Sequence, residues 1–177
     1  MKTLLLHTCC APCTTVPLER LKSEFVVTGF FYNPNIFPQA EYEKRLKEIK
    51  KWTDKENIPL LVHAYDSNRW FGLVKGLEKE PEGGKRCAVC FRIRLEETAR
   101  AAKEKGFDSF TTTLTNSPHK NAQLINQLGE EIARETGVEF LAANFKKHDG
   151  FKQSVALSKE YDFYRQDYCG CLYSRRI

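Results

Sequence analysis

The chain of 177 residues is long enough to bury a full hydrophobic core, and 41% of its residues are hydrophobic. Its net charge of +5 is modest, and no apolar run approaches the roughly 18 residues that a membrane span needs. The apolar run near the N-terminus, Leu4 to Leu6, is too short for a secretory signal peptide. We therefore expect a cytoplasmic protein without membrane association, whose thiols stay reduced, and not a secreted disulfide scaffold.

Five short segments rich in leucine, β-branched or aromatic residues alternate with helical patterns along the first part of the chain. These segments predict buried strands at 2–8, 25–32, 60–65, 107–114 and 138–145. The intervening patterns predict helices beyond Pro12 and Pro17, from Pro38 to Asn57, from about Ser67, from Cys87 to Lys105, and from Asn121 to Gly137. The alternation indicates an α/β fold with a doubly wound, parallel, five-stranded sheet.

Residues 146–177 carry no clear strand and are predicted to form a helical and irregular C-terminal extension of the sheet core, 1–145, within a single domain. The extension holds seven Lys and Arg residues against four Asp and Glu residues. Its aromatic and arginine side chains are Tyr161, Phe163, Tyr164, Arg165, Tyr168, Tyr173, Arg175 and Arg176. This composition suits an RNA-facing surface, and it equally suits a solvated helix with a buried aromatic side.

The loops after the first and fourth strands are expected to open into one crevice. In a doubly wound sheet these strands are neighbours where the strand order reverses, and ligands bind there at the carboxyl ends. The first loop reads HTCCAPC and the second TNSPHKN, and the chain contains neither G-x-G-x-x-G nor G-x-x-x-x-G-K-[ST]. Cysteines therefore stand where a phosphate-binding loop would lie, which predicts a metal site.

The seven cysteines form three groups, which are Cys9, Cys10 and Cys13; Cys87 and Cys90; and Cys169 and Cys171. Cys87 and Cys90 lie three apart at a helix start, so both sulfurs share one face, and the helix dipole favours their thiolates. Two pairs from two loops give four thiolates, the number that a [4Fe–4S] cluster or a structural zinc ion requires. Adjacent cysteines fit a tetrahedral ion poorly, so the pattern favours iron–sulfur over zinc and over a metal-free thiol site.

The C-terminal motif YCGC places one glycine between Cys169 and Cys171. A disulfide between them would be strained and readily reduced, which suits the relay of electrons. Two alternatives are further metal ligation, with the extension folded over the crevice, and a pair of ordinary surface thiols.

Four motifs together resemble the epoxyqueuosine reductases of the QueH family: HTCCAPC, the central C-x-x-C-F, SPHKN, and the terminal YCGC. The resemblance spans essentially the whole chain. It implies reduction of the epoxide of epoxyqueuosine, at the wobble position of tRNA, to the cyclopentene of queuosine. This step takes two electrons and two protons, releases water and needs no cobalamin. The resemblance also implies a HUP-like fold, a [4Fe–4S] cluster, a second mononuclear metal (iron) and an unidentified electron donor.

The resemblance also assigns roles to the cysteines. It implies cluster ligation by Cys9, Cys10, Cys87 and Cys90, with Cys13 available to the second metal. Cys169 and Cys171 would form a redox-active disulfide, which meets the active site when the extension closes over it.

Other side chains are candidates for proton transfer and for substrate binding. The candidate proton donors are His7, Asp149 and His119, and His7 also fits a buried, hydrogen-bonded core residue. The candidate substrate-binding residues are Ser117, His119, Lys120 and Asn121. Two other functions stay open, a zinc-stabilised RNA-binding module and a nucleotide- or sulfur-transferring enzyme on the same HUP-type fold. The latter would need ATP, and the missing glycine-rich loop argues against it.

Overall fold

A computed structural model describes residues 1–175, so Arg176 of the predicted basic extension lies outside the described residues. Five parallel strands form one sheet in the order β3-β2-β1-β4-β5. Their bounds are β1 Lys2–Thr8, β2 Phe25–Phe31, β3 Leu60–Val62, β4 Ser109–Thr112 and β5 Glu139–Phe140. The predicted doubly wound parallel sheet is confirmed, and β1 and β4 are neighbours at its centre.

In the described part of the chain, six α-helices flank the sheet, namely α1 Ala11–Leu21, α2 Gln39–Lys55, α3 Ser67–Leu73, α4 Lys85–Lys105, α5 Ala122–Thr136 and α6 Gly150–Glu160. The central strand β1 is buried on both faces, as expected for a parallel sheet covered on two sides. Leu5 joins the core beneath α4 and α5, while Leu4 and Leu6 join the core that includes Leu18 of α1 and Trp52 of α2. Within residues 1–175, no helix combines the length and the apolar character needed to cross a membrane.

The two edge strands are shorter than the sequence predicts, because their neighbours stop pairing. β2 ends at Phe31, whose carbonyl accepts a last hydrogen bond from His63 N at 3.0 Å, so the predicted strand 60–65 ends early. On the other edge, the backbone after β4 turns into a 3₁₀ helix, Thr113–Asn116. Thr112 is the N-cap of this helix, and its side chain accepts a hydrogen bond from Leu114 N. Within residues 1–175, the predicted strand 138–145 consequently makes no backbone hydrogen bond to β4 after Leu141.

The C-terminal extension covers the carboxyl edge of the sheet on the α1 side. Helix α6 packs against α1, and Arg20 of α1 donates to the carbonyl oxygens of Phe145 and Lys147 at 3.1 and 3.0 Å. After α6 the chain is irregular up to a short 3₁₀ turn, Leu172–Ser174. The extension therefore runs beside the loops that follow β1, β2 and β4.

Candidate metal centre

Three cysteine sulfurs meet in the turn between β1 and α1. The sulfur atoms of Cys9, Cys10 and Cys13 all lie within 4.8 Å of one another, and those of Cys9 and Cys10 are 3.8 Å apart. Cys10 is the N-cap of α1 with extended backbone, and its Sγ accepts a hydrogen bond from Cys13 N at 3.4 Å. This capping turn allows adjacent cysteines to face one another, although adjacent residues on a regular element would point apart.

Crowding and burial give these three thiols different pKa values. Hydrogen bonds with Cys10 and Cys13 lower the pKa of Cys9 well below its usual range. Burial raises the pKa of Cys10 to about 12, and hydrogen bonds with Cys10 and Cys9 raise the pKa of Cys13. One thiolate is thus favoured without a metal, and holding three thiolates together requires further positive charge such as that of a metal ion.

The other four cysteines form a second group. Cys87 and Cys90 lie on the first turns of α4, and they line a narrow cavity together with Cys169 and Cys171. Gly83 N donates to Cys87 Sγ at 3.2 Å, and burial raises the pKa of Cys90 to about 11. Among the described residues, Cys87 and Cys90 are not within the compact group of three sulfurs. All seven cysteines are free thiols, so the disulfide between Cys169 and Cys171 stays a prediction.

Cys169 connects the two groups of cysteines. It lines the narrow cavity with Cys87 and Cys90, and it also lines a larger cavity of about 260 Å³ with Cys9 and Cys13. The fold thus brings all three predicted cysteine motifs to neighbouring walls of one crevice at the carboxyl edge of the sheet.

Cationic side chains face the cysteines, among them Arg94 and Lys120. Arg94 of α4 is 1% exposed and donates through Nε to the Cys90 carbonyl at 3.1 Å, while its Nη2 has no hydrogen-bond partner among the described residues. Burial lowers the pKa of Arg94, but the thiols of Cys90, Cys169 and Cys9 outweigh burial and raise it. Burial also lowers the pKa of Lys120, and the surrounding thiols outweigh burial and raise it.

These features fit an anionic metal–thiolate group. A buried guanidinium nitrogen without a partner is costly unless an acceptor is supplied, and thiolate or cluster sulfur is such an acceptor. Cys9, Cys10 and Cys13 provide soft donors, and Arg94 and Lys120 provide the compensating charge.

The larger cavity also holds unpartnered polar groups. Asn116 Oδ1 and Gln166 Oε1 are buried acceptors without a partner in the described part of the chain. Gln166 Nε2 donates to Cys10 Sγ at 3.0 Å. The predicted substrate-binding residues Ser117, His119 and Lys120 line the same cavity, so it presents both acceptors and cations to a ligand.

The remaining predicted residues lie elsewhere. His7 is fully buried; its Nε2 donates to Tyr32 O and its Nδ1 accepts from Thr112 Oγ1, each at 2.9 Å. Burial lowers the pKa of His7 to about 4, so the neutral ring fits these two bonds. Asp149 is exposed and does not line the larger cavity. Asn121 caps α5 by accepting from Leu124 N at 3.1 Å, and it lines a small cavity beside Cys87.

Several polar residues of this site were not predicted from the sequence, namely Arg45, Arg94, Asn116 and Gln166. A signal for the two arginines is helical spacing. Arg94 lies four residues after Cys90, on the same helix face, and Arg45 lies on the face that buries Tyr42 and Ile49. A charged residue at a core position of a helix marks a buried partner that the sequence does not name.

The chain is similar to known proteins over nearly its full length. The family model described as "Epoxyqueuosine reductase QueH" matches residues 4–177. A relative from Streptococcus pyogenes serotype M1, named Epoxyqueuosine reductase QueH, is 43% identical over 98% of this chain and 71% of its own length. A relative of the same name from Thermotoga maritima is 40% identical over 98% of this chain and 91% of its own length.

Solved structures share the fold at low sequence identity. A protein described as a predicted subunit of tRNA methyltransferase from Methanocaldococcus jannaschii aligns with a TM-score of 0.58 at 11% identity, over 89% of this chain and 75% of its own. The U34-tRNA thiolase NcsA from Methanococcus maripaludis, solved with its [4Fe-4S] cluster, aligns with a TM-score of 0.57 at 11% identity, over 99% of this chain and 62% of its own. At this identity the likeness shows the fold alone.

Proposed function

The chain belongs to the epoxyqueuosine reductase QueH family, and from this membership we infer that it is an oxidoreductase that reduces the epoxide of epoxyqueuosine in tRNA to queuosine. The observation that carries this function is the family match over residues 4–177, which includes all seven cysteines. The grouping of these cysteines around one crevice supports it, because the reaction needs a source of electrons at the substrate. The substrate is accordingly a tRNA, and the cofactor is a metal or iron–sulfur group.

We propose that the cofactor is a [4Fe–4S] cluster held by Cys9, Cys10, Cys87 and Cys90, with Cys13 available to a second mononuclear iron. A bound anionic centre on this wall of the cavity is supported by the compact sulfur group and by Arg94 Nη2, which has no hydrogen-bond partner within residues 1–175. When bound, such a group supplies single electrons and a Lewis acid for the epoxide oxygen.

Cys169 and Cys171 are proposed to deliver the two electrons. Oxidation of two thiols to one disulfide releases two electrons and two protons. The epoxide takes up two electrons and two protons as its two C–O bonds break, and the products are an alkene and water. The electron donor then returns the disulfide to two thiols, so the cysteines are not consumed.

The polar loop after β4 is proposed to bind and orient the substrate. Ser117, His119 and Lys120 line the cavity, and Asn121 stands at the start of α5 beside it. Lys120 suits a phosphate oxygen, while the hydroxyl and imidazole groups suit sugar hydroxyls. Of the three candidate proton donors, His119 is the one that lines the cavity, whereas both His7 nitrogens are occupied by Tyr32 and Thr112.

The test is a direct assay of the nucleoside product. Protein purified without oxygen is incubated with a chemical reductant and tRNA that carries epoxyqueuosine, and the digested nucleosides are analysed by mass spectrometry. Conversion of epoxyqueuosine to queuosine is expected, with a mass loss of one oxygen. Unchanged epoxyqueuosine after incubation with protein that contains iron and sulfide would refute the activity. A colourless protein with stoichiometric zinc would refute the cluster.

A further inference from the structure

Residues 164–171 form a strap that crosses the N-terminal half of α2 and the loop after β2. The strap carries Gln166, Cys169 and Cys171, and it therefore forms one wall of the crevice. Gly170 O accepts from Phe37 N at 2.8 Å, which fixes the strap to the loop after β2.

Tyrosines attach the strap on either side of Gln166. Tyr168 OH donates to Phe37 O at 2.7 Å. Tyr164 OH lies 3.0 Å from both carboxylate oxygens of Glu41. These contacts hold the strap at its N-terminal end and beside its cysteines, on the surface of α2.

Arg45 is the buried centre of this contact. It is 2% exposed, and all three of its guanidinium nitrogens are engaged. Nε donates to Glu41 Oε1 at 2.8 Å, Nη1 donates to Cys169 O at 3.0 Å, and Nη2 donates to Tyr168 O at 3.1 Å. A planar group with a fixed fork of donors can meet one carboxylate and two consecutive carbonyls together, which an ammonium group does not do as well.

The glycine between the two strap cysteines lies directly against the guanidinium. A Cβ at Gly170 would lie 3.1 Å from Arg45 Nη1 and 3.0 Å from Ile36 Cγ1, and Gly170 has a φ of 129°. Both the close approach and this backbone conformation favour glycine. The Cys-Gly-Cys turn therefore matches the surface that Arg45 provides.

We infer that Arg45 is a positioning residue that fixes the strap and so sets where Cys169 and Gln166 stand relative to the other cysteines. Its bonds go to the carbonyls of Tyr168 and Cys169, and thus to the backbone that aims the Cys169 thiol between the two cysteine groups. The same hydrogen bonds of Arg45 hold the segment that carries Gln166, whose Nε2 donates to Cys10 Sγ. The strap is in this view a fixed wall of the site. The inference deepens the proposed function and rests on it for the role of Cys169.

The test uses R45K in the full-length protein purified without oxygen, with R92K as the matched control. Arg92 of α4 pairs with Glu96, Glu131 and Glu135 and lines neither cysteine cavity. Amide hydrogen exchange at 164–171 and alkylation of Cys169 are expected to be about tenfold faster in R45K, because two charge-assisted bonds are weakened. Exchange in β1 and β4 is expected to match the wild type, and R92K is expected to change none of these rates.

A second variant, G170A, disturbs the same contact from the strap side and leaves the charge of Arg45 in place. It is expected to accelerate the same exchange and the same alkylation, and it carries the test if R45K does not fold. Wild-type exchange at 164–171 in a folded variant would overturn the inference. These readouts need neither tRNA nor turnover, so failure of epoxide reduction would refute the proposed function and leave the inference on Arg45 unaffected. In the loaded enzyme, R45K is expected to lower kcat while KM for tRNA stays unchanged.

Discussion

At the scale of single residues, the site balances buried thiols against buried cations. Arg94 donates a hydrogen bond to the backbone of Cys90, and its pKa is raised by the thiols of Cys169 and Cys9. It therefore lies between the two groups of cysteines. Burial raises the pKa of Cys10 and Cys90, and it also cuts off from solvent Arg94 Nη2, which has no hydrogen-bond partner among residues 1–175. A metal would deprotonate the thiols and supply Arg94 with an anionic partner, so metal binding should also stabilise the fold.

The ligand and relay roles of the cysteines separate in two variants. Cys87→Ala is expected to lose bound iron and epoxide reduction together, because one of four thiolates is missing. Cys169→Ser is expected to keep iron and sulfide but to turn over more slowly, because the dithiol is gone. Iron and sulfide per chain, together with the rate of queuosine formation, measure both. Full iron content and normal turnover in Cys87→Ala would remove its ligand assignment, and an unchanged rate in Cys169→Ser would exclude the relay.

At the scale of elements, sequence signals within each helix predicted where the helix begins and ends. The same signals did not predict the polar contacts between elements. Asn121 caps α5 and Gly137 ends it with a φ of 77°, as the sequence indicated. The ends of β3 and β5 depend on where neighbouring strands turn away, which their own residues do not show. Arg45 was missed for a related reason, because its acceptors at Tyr168 and Cys169 lie more than 120 residues away along the chain.

Helix α6 depends on one glycine at its start. A Cβ at Gly150 would clash with the carbonyl oxygen of Phe145, which is backbone and cannot move aside alone. Gly150→Ala is therefore expected to lower the free energy of unfolding by about 1–3 kcal/mol, measured by urea denaturation. The control is Gly72→Ala in α3, where no atom lies within 4 Å of the new Cβ and little change is expected. Equal stabilities for the two variants would contradict this account of α6.

Side chains from the end of β3 and the start of α3 meet at one carboxylate in the middle of α4. Glu97 lies 2.9 Å from His63 Nε2 and also pairs with Arg69 and Arg100. Burial raises the pKa of Glu97, but Arg100, His63 and Arg69 together outweigh burial and lower it. A carboxylate with a lowered pKa in the folded state stabilises the protein above the unfolded-state pKa, and this contribution is lost as the pH falls through the folded-state pKa.

Glu97→Gln tests this pH dependence. At pH 7 the variant is expected to be less stable by about 1 kcal/mol, because the partners of Glu97 are partly exposed and solvent screens them. The difference from the wild type should narrow as the pH falls below the unfolded-state pKa of Glu, about 4.3, and then through the lowered folded-state pKa, where the carboxyl of the folded wild type becomes protonated. Urea unfolding at several pH values measures it, and Glu96→Gln on the same helix serves as the exposed control. A difference that stays constant with pH would show that Glu97 acts through packing alone.

At the scale of the whole molecule, the extension and the sheet core enclose the crevice together. We propose that they form one domain, since α6 packs on α1 and the strap is bonded to α2. Cations surround the mouth from three segments. Lys120 follows β4, Lys146 follows β5 and donates to Lys120 O at 3.1 Å, and Arg165 belongs to the strap. Burial and the charge of Lys120 lower the pKa of Lys146, as expected for like charges that lack an anion.

An aromatic side chain stands at the same mouth. Phe151, in the first turn of α6, is 38% exposed and lines the larger cavity with Lys120 and Arg165. An exposed ring among cations is the arrangement that binds unpaired RNA, because bases stack on rings and phosphates meet the cations. The anticodon loop of a tRNA offers such bases. We therefore expect Phe151 to stack on a base when the modified nucleotide enters the cavity.

Phe151→Ala is expected to raise KM for epoxyqueuosine-containing tRNA about tenfold, since stacking contributes roughly 1–3 kcal/mol per base. Because Phe151 is not one of the proposed metal ligands or redox cysteines, kcat and the iron content should stay unchanged, and Phe151→Tyr should retain the wild-type KM. Leu73→Ala removes a comparably exposed apolar side chain from α3, outside the cavity, and is expected to leave KM unchanged. Raising the salt concentration should weaken binding by the same factor in wild type and Phe151→Ala, because the phosphate contacts are intact in both. An unchanged KM in Phe151→Ala would mean that the tRNA enters without contacting α6.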